Sequence, residues 1–158
     1  MSKKIIITGG LGYIGTELCK IYSGISWNNE ILVIDNRFIS ERVNQLRNWN
    51  IEFIHGDILD KNLVNRYCYD ADIVHHLAGI TDVPRVKSES NTKHENKIRQ
   101  VAEEGTQNIL NSINQNCKII MPSTHVVFEG LKDVKKDIEE NEETKPILSY
   151  GISKDLNE

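Results

Sequence analysis

The chain has 158 residues, of which 39% are hydrophobic and 27% charged, and its formal net charge at pH 7 is -4. This composition is typical of one soluble globular domain and excludes a disordered tail. The acidic balance, with no cluster of Lys and Arg to override it, argues against nucleic acid as a partner.

The N-terminus and the cysteines indicate a cytoplasmic protein. The apolar run Ile5-Ile6-Ile7 ends at Thr8-Gly9-Gly10 and is too short for a signal peptide or a membrane span. Cys19, Cys68 and Cys117 are far apart and form neither a disulfide framework nor a metal knuckle. We therefore expect a cytoplasmic location, no membrane partner and no metal site.

Strand-like and helix-like segments alternate along the chain. The predicted strands are Lys4–Thr8, Glu30–Asp35, Ile51–His55, Ile73–Leu77 and Lys118–Met121. The predicted helices cover residues 12–23, 39–48 and 60–69, then a periodic stretch from Ile98 to Ile113, and a last helix that begins near Tyr150. This β-α repetition predicts a doubly wound parallel sheet between two layers of helices, the three-layer α/β/α Rossmann fold.

The apolar spacing between residues 12 and 23 predicts the first helix. Ile14, Leu18 and Ile21 recur at helical spacing, and Gly24 is the expected stop. We expect Trp27 and Trp49 to pack at the ends of helices.

The segment 132–145 interrupts the rhythm. It is dominated by Lys, Asp and Glu, which predicts a solvated loop or a short exposed helix. Nothing marks a second domain, so residues 1–158 are predicted to form one dinucleotide-binding domain. Because the last helix has barely begun where the sequence stops, we expect this domain to be the truncated part of a longer protein.

A glycine-rich turn follows the first strand and opens the first helix. A pyrophosphate needs a tight turn, close approach of the main chain and N–H groups at a helix N-terminus. Gly9 can supply the turn, Gly12 the close approach and Gly15 the packing of helix on strand. Tyr13 and Ile14 are in the first turn of the same helix, and we count them among the cofactor-binding residues.

An acidic residue stands where a dinucleotide site requires one. Asp35 ends the second strand, about 20 residues after the glycines, and can accept hydrogen bonds from the adenosine ribose. Its carboxylate repels a 2′-phosphate, so NAD is favoured over NADP, although Arg37 two positions later moderates that preference. Asn36, between them, is also assigned to the cofactor site.

The glycine turn resembles the signature of a known family. The run Thr8-Gly9-Gly10-Leu11-Gly12-Tyr13-Ile14-Gly15 is similar to the T-G-G-x-G-[FY]-[IL]-G of extended short-chain dehydrogenases/reductases, the NAD-dependent epimerase/dehydratase family. That resemblance implies a nucleotide-sugar substrate, a homodimer, and proteins about twice this length with a C-terminal substrate lobe.

Further motifs of the family occur in the expected order. Gly56-Asp57-Ile58 looks like the family's G-D-[LIV], whose Asp reaches the adenine amine, and His76-Leu77-Ala78-Gly79 is similar to the H-L-A-A that passes along the cofactor. Ser123-Thr124 and Tyr150-Gly151-Ile152-Ser153-Lys154 match S-[ST] and Y-[GA]-x-S-K. One departure is Ala102, where the family often has Asn in N-x-x-G-T.

Tyr150 and Lys154 are four residues apart and therefore share one face of a helix. A phenol with a pKa near 10 is a poor base at neutral pH, and a neighbouring ammonium lowers that pKa. The resemblance implies that Tyr150 is the base, Lys154 the pKa modulator and ribose anchor, and Thr124 a hydrogen-bond partner of the reacting oxygen. Tyr150 and Lys154 thus belong to both the catalytic and the cofactor-binding set.

The histidines provide no metal site, and the choice of reaction stays open. His75 and His76 are adjacent in a strand and point to opposite faces, whereas His55 and His94 have no partner that the sequence reveals. Because His125-Val126 replaces the Asp-Glu that dehydratases place after the catalytic Thr, dehydration is disfavoured. A 4-epimerase and a keto-deoxysugar reductase remain, the latter because residues 123–130 resemble S-T-x-x-V-F-[DE]-G, and so does a fragment that binds NAD without catalysis.

Overall fold

The computed structural model describes residues 2–25, 28–81, 92–131 and 137–158. It divides into two compact units: the first comprises Met1–Gly79 and Glu104–Pro122, and the second Ile80–Glu103 and Ser123–Glu158. That the whole chain forms one dinucleotide-binding domain stays a prediction. Among the described residues, no helix has the length and apolar character that crossing a membrane requires.

The first unit is built on a parallel sheet of five strands. The strands are β1 (Lys4–Thr8), β2 (Glu30–Asp35), β3 (Glu52–His55), β4 (Ile73–His76) and β5 (Lys118–Ile120), and their order is β3-β2-β1-β4-β5. Because the chain crosses from β3 back to the other side of β1, the carboxyl ends of β1 and β4 flank a topological switch point, where open α/β sheets bind their ligands.

Six α-helices occur in the described residues. They are α1 (Tyr13–Ser23), α2 (Ser40–Asn48), α3 (Lys61–Cys68), α4 (Thr92–Gln100), α5 (Thr106–Ser112) and α6 (Ser149–Asp155). A π-helical turn, Val101–Gly105, joins α4 to α5, and a 3-10 helix covers His125–Phe128. The five predicted strands and the first three predicted helices are confirmed, with ends that shift by at most one residue. The helix predicted from Ile98 to Ile113 begins earlier, at Thr92, and the π-helical turn divides it into α4 and α5.

Two adjacent histidines of β4 show that helices cover both faces of the sheet. His75 Nε2 lies 2.7 Å from the Tyr22 hydroxyl of α1. His76 Nε2 lies 3.0 Å from the Thr106 hydroxyl of α5. Since neighbouring residues of a strand point to opposite faces, α1 and α5 lie on opposite sides. The predicted three-layer Rossmann fold and the opposed histidines are both confirmed.

The buried side of α1 is not the side that carries Ile14 and Ile21. Ile14 and Ile21 are each 60% exposed, whereas Gly15 and Cys19 are buried, with Leu18 and Tyr22 packed beside them. The helix turns its small residues inward because Gly15 lies directly against the glycine turn, where a larger side chain does not fit. The predicted end of the helix is correct, since Gly24 is its C-cap.

Two other packing predictions have mixed outcomes. Trp49 caps α2 and packs against the core of the first unit, as predicted. Trp27 lies outside the described residues, as does the part of the polar segment from 132 to 136. The rest of that segment, 137–145, contains no helix or strand, in agreement with the predicted loop.

The second unit contains α4, the 3-10 helix and α6, and α6 contacts both of the others. Its main chain is tied together where Lys145 N–H donates to the Val127 carbonyl at 2.7 Å and Gly130 N–H donates to the Lys145 carbonyl at 2.8 Å. Ile98 of α4 and Val127 of the 3-10 helix are buried. This packing determines where α6, with Tyr150 and Lys154, begins.

Candidate active site

The chain leaves β1 through Gly9, whose φ of +69° lies in the left-handed region. A Cβ at this position would lie 2.7 Å from the main-chain nitrogen of Ala78, so the two chain segments that follow β1 and β4 are in close contact. Only glycine satisfies both conditions without strain. The tight turn that the sequence predicts at Gly9 therefore has a conformational and a steric cause.

The other glycines of the turn differ in what surrounds them. A Cβ on Gly15 would lie 2.6 Å from both the Gly10 Cα and the Gly9 carbonyl oxygen, so Gly15 packs helix α1 on the turn itself rather than on the strand. A Cβ on Gly10 would overlap the Val33 side chain of β2, a role that sequence reasoning missed. These two glycines hold the turn against the first unit's core.

Position 12 fits the close approach of an anion. Gly12 is the N-cap of α1, and no side chain caps this helix end. A Cβ on Gly12 would meet the Gly9 carbonyl oxygen at 3.0 Å and otherwise only the Arg37 guanidinium, at 3.8 Å. The N–H groups of the first helical turn, Tyr13 and Ile14 among them, have no intrahelical acceptor and point outward from this end. The turn thus suits a pyrophosphate.

The side chains of Tyr13 and Ile14 are largely exposed. Tyr13 is 83% exposed and Ile14 60%. Their predicted part in cofactor binding therefore depends on their main-chain amides.

The Asp35 carboxylate is buried and tied to the glycine turn. Its Oδ2 accepts a hydrogen bond from Leu11 N–H at 2.9 Å, and its Oδ1 accepts one from Arg37 N–H at 3.0 Å. The Arg37 guanidinium also donates to it, at 3.2 and 3.3 Å. Arg42 donates from the other side to the Leu11 carbonyl. Asp35 therefore orders the turn in addition to any contact with a ribose.

The predicted adenine contacts lie beside β2 and β3. Asn36 Nδ2 donates to Asp57 Oδ2 at 3.0 Å, and Leu59 N–H donates to Asp57 Oδ1 at 3.0 Å. Ile58 is buried, and a Cβ on Gly105 would overlap its side chain, so Ile58 offers a ligand its main chain only.

An aromatic cluster that the sequence did not predict borders this region. Phe38, which is 62% exposed, packs edge-on to Phe53 and to His55 with ring centroids 6.1 and 6.3 Å apart. His55 Nε2 lies 3.0 Å from the Asn36 carbonyl oxygen. The expectation that His55 stands alone was wrong, because β3 brings it beside a loop that is distant in sequence.

The segment Leu77–Gly79 follows β4 and is held at the end of β1. Leu77 N–H donates to the Thr8 carbonyl at 3.1 Å, and Ala78 N–H donates to the Thr8 hydroxyl at 3.2 Å. The Thr8 hydroxyl is also 2.8 Å from His76 Nδ1. Leu77 and Ala78 are half-buried, and Gly79 is exposed with open space where a Cβ would be. The segment thus borders the switch point, and its predicted contact with the cofactor stays a prediction.

The three predicted catalytic residues all belong to the second unit. Thr124 is the N-cap of the 3-10 helix, and its hydroxyl accepts from Val126 N–H at 3.3 Å. Gly151 of α6 packs on this helix, since a Cβ there would be 3.1 Å from the Val126 carbonyl oxygen. Tyr150 immediately precedes Gly151, so this close contact sets the position of Tyr150 relative to the helix that Thr124 caps.

Tyr150 and Lys154 form a pair on α6. Lys154 Nζ lies 6.0 Å from the centroid of the Tyr150 ring, and both residues are half-buried. Burial lowers the pKa of the Lys154 ammonium from its ordinary value. In partly desolvated surroundings a charge acts on a nearby phenol more strongly than it does in water.

The comparison with known families gives one match over nearly the whole chain. The model of the 3-beta hydroxysteroid dehydrogenase/isomerase family matches residues 6–158. The chain is also 34% identical, over 142 residues, to the CDP-paratose 2-epimerase of Salmonella typhi, and the match covers 84% of this chain and 40% of that protein.

A second relative, the UDP-N-acetyl-alpha-D-glucosaminuronate decarboxylase of Bacillus cytotoxicus, is 29% identical over 163 residues, with 100% of this chain and 49% of that protein covered. The chain therefore spans half the length, or less, of these curated relatives.

Solved structures give the same fold. The UDP-N-acetylglucosamine 4-epimerase from Methanobrevibacter ruminantium M1 is 24% identical, with a TM-score of 0.79 over 99% of this chain and 48% of that chain. The UDP-glucose 4-epimerase from Brucella ovis, solved in complex with NAD, is 25% identical, with a TM-score of 0.77 over 99% of this chain and 46% of that chain. The chain therefore belongs to the 3-beta hydroxysteroid dehydrogenase/isomerase family, among the short-chain dehydrogenases/reductases of the NAD-dependent epimerase/dehydratase type.

Proposed function

We propose that this chain is the cofactor-binding and catalytic portion of an NAD-dependent nucleotide-sugar epimerase. The observation that carries the proposal is the Tyr150–Lys154 pair on α6, 6.0 Å from ammonium nitrogen to ring centroid, in a chain that also has the open glycine turn at Gly12. The first feature supplies an acid–base group and the second a site for a pyrophosphate. Two of the similar proteins described above are 4-epimerases of UDP-sugars.

NAD would be held by the first unit. The pyrophosphate would lie at the N-terminus of α1, beside Gly9, Gly12 and the amides of Tyr13 and Ile14, with Gly15 holding the helix on the turn. The adenosine end would lie near Asp35, Asn36, Asp57 and the main chain of Ile58, and the segment Leu77–Gly79 would border the rest. When bound, NAD supplies the acceptor for a hydride from a sugar carbon and returns it to the other face.

Residues of the second unit would take up the proton of the sugar hydroxyl and return it. Tyr150 takes the proton of the sugar hydroxyl as the carbon is oxidised, and it gives the proton back when the carbonyl is reduced. Lys154 stabilises the phenolate with its charge and anchors the ribose, and Thr124 donates a hydrogen bond to the reacting oxygen. No net oxidation results, which is the property that distinguishes an epimerase from a reductase.

The alternative to an epimerase is a keto-deoxysugar reductase, which the similarity of residues 123–130 to a reductase motif suggests. In the structure Glu129 accepts hydrogen bonds from two main-chain amides, and Gly130 is packed against Lys145, so both residues have roles in packing α6. These roles account for the motif without assigning a reaction.

The experiment tests cofactor and reaction in turn. Calorimetric titration of the purified chain with NAD and with NADP measures the two affinities, and we expect saturable binding with preference for NAD. The chain is then incubated with UDP-glucose or UDP-N-acetylglucosamine and a catalytic amount of NAD, and the sugar is followed by NMR. Sedimentation of the same preparation tests the homodimer.

The outcomes separate the alternatives. Appearance of the C4 epimer without net formation of reduced cofactor supports the epimerase, and Tyr150→Phe should slow it about 10²- to 10⁴-fold. Tyr69→Phe is the matched control, because Lys4 Nζ lies 5.6 Å from the centroid of that exposed ring. Saturable NAD binding with no turnover of either sugar would contradict the epimerase and favour a binding fragment.

A further inference from the structure

The Glu129 side chain joins two parts of the second unit that are distant in sequence. Glu129 is the C-cap of the 3-10 helix. Its Oε1 accepts hydrogen bonds from Ile147 N–H at 2.7 Å and from Leu148 N–H at 2.6 Å, 18 and 19 residues further along the chain. One carboxylate oxygen thus accepts both main-chain donors immediately before α6.

These contacts extend a short ladder of main-chain hydrogen bonds that ends at a proline. Lys145 N–H donates to Val127 and Gly130 N–H donates to the Lys145 carbonyl, but the next residue is Pro146, which has no N–H to donate. Beyond the proline, the Glu129 side chain accepts the amides of the two following residues. The segment 145–148 is therefore fixed at both ends.

The fixed segment determines where α6 begins. Leu148 is the N-cap of α6, and its carbonyl accepts from Ile152 N–H at 3.0 Å. Tyr150 is the second residue of the helix, two residues after the last amide that Glu129 holds. Gly151 leaves little space for adjustment, because a Cβ there would be 3.1 Å from both the Pro146 Cβ and the Val126 carbonyl oxygen.

We infer that Glu129 is a positioning residue, which sets the start of α6 and thereby the placement of the Tyr150 phenol and the Lys154 ammonium. Its effect on turnover rests on the proposed function, whereas its effect on the helix start does not. Since one oxygen accepts both hydrogen bonds, Glu129→Gln can keep them through its amide oxygen. The negative charge is therefore dispensable for holding the two amides. Glu129→Ala removes the acceptor altogether.

The test compares Glu129→Ala, Glu129→Gln and the control Glu143→Ala, which removes an exposed glutamate of the same unit. Amide hydrogen exchange and the NMR signals of the labelled Tyr150 ring are measured in the full chain. We expect Glu129→Ala to raise exchange at Ile147 and Leu148 about tenfold and to move the Tyr150 signals. The other two variants should resemble the parent.

Turnover gives a second readout that separates this inference from the proposed function. Where the chain turns over a nucleotide sugar, Glu129→Ala should lower kcat at least about tenfold with an unchanged Kd for NAD, and Glu129→Gln should restore kcat. If no sugar is turned over, the exchange and Tyr150 signals still decide the inference. Unchanged exchange and signals in Glu129→Ala would overturn it, as would equal loss in the Ala and Gln variants.

Discussion

The Asp35 carboxylate accepts a hydrogen bond from the Leu11 main-chain N–H at 2.9 Å and so joins the end of β2 to the glycine turn that follows β1. The acid is buried and is also contacted by the Arg37 main chain and guanidinium. An acidic residue assigned from sequence to ribose binding therefore has a second role. It orders the turn before any ligand arrives.

Replacement of this carboxylate should impair the fold and ligand binding together. We expect Asp35→Ala to lower the free energy of unfolding by about 1–3 kcal/mol, because the Leu11 amide loses a charged acceptor in a buried place. Denaturant unfolding measures this cost, and NAD titration measures the accompanying loss of affinity. Asp60→Asn is the control, because Asp60 caps α3 through the amides of Asn62 and Leu63, and Asn caps as well as Asp does. Equal costs for the two variants would contradict the assignment.

Substitution of two glycines of the same turn should lower the free energy of unfolding by different amounts. Gly9→Ala introduces a Cβ at φ +69° and 2.7 Å from a main-chain nitrogen, and we expect a loss of about 2 kcal/mol or more in the free energy of unfolding. The methyl group that Gly12→Ala introduces would be in close contact only with the Gly9 carbonyl oxygen. The free energy of unfolding of this variant should therefore fall by no more than about 1 kcal/mol.

Although Gly12→Ala should cost little stability, it should greatly weaken the binding of NAD. A methyl group at the helix N-cap blocks the approach of a pyrophosphate to the first-turn amides, and we expect at least a tenfold rise in Kd, which is about 1.4 kcal/mol. Calorimetry on the folded variant measures it. A Gly12→Ala chain that binds NAD as the parent does would remove the glycine turn from the proposed site.

The strands β1 and β2 were predictable because each is a short run of buried branched residues with a polar or glycine boundary. Glu30–Asp35 is correct at both ends, because an acidic residue bounds the apolar run Ile31–Ile34 on each side. The inward face of α1 was not predictable from spacing. Ile14, Leu18 and Ile21 form a regular pattern, but the packing of Gly15 on the turn decides which side is buried.

The candidate site was predictable where a motif and the elements that shape it are adjacent in sequence. The glycine turn lies between a strand and a helix, so its shape followed from adjacent residues. The contact between Gly10 and Val33 and the bonds from Glu129 to residues 147 and 148 join segments about twenty residues apart. No periodicity relates such residues, and only the folded chain shows that they meet.

Arg37 should alter the choice between NAD and NADP. Its guanidinium pairs with Asp35 and is 55% exposed, so it offsets the charge that repels a 2′-phosphate. We expect Arg37→Ala to raise the ratio of the NADP Kd to the NAD Kd about two- to fivefold, as for an exposed ion pair worth less than about 1 kcal/mol. Titrations at low and high salt measure the ratio. Arg47→Ala, at an exposed position of α2, is the control, and an equal shift there would show a general charge effect.

The contact between Tyr22 and the buried His75 should make stability depend on pH. Burial, and next the charge of Lys118, lowers the pKa of His75 below its ordinary 6.5, and burial raises the pKa of Tyr22, so both stay neutral at pH 7. Below pH 6.5 the unfolded chain binds a proton that the folded chain resists, so stability falls as the pH drops toward the folded pKa of His75. One such group contributes at most about 1.4 kcal/mol per pH unit.

Urea unfolding between pH 5 and 7.5 tests this dependence through His75→Gln, which cannot titrate. We expect the variant to be less stable at pH 7, by about 1 kcal/mol from the altered contact with Tyr22, yet to lose less stability than the parent on acidification. His125→Gln, at an exposed histidine, is the control. A His75→Gln chain with the parent's slope would show that the acid sensitivity comes from elsewhere.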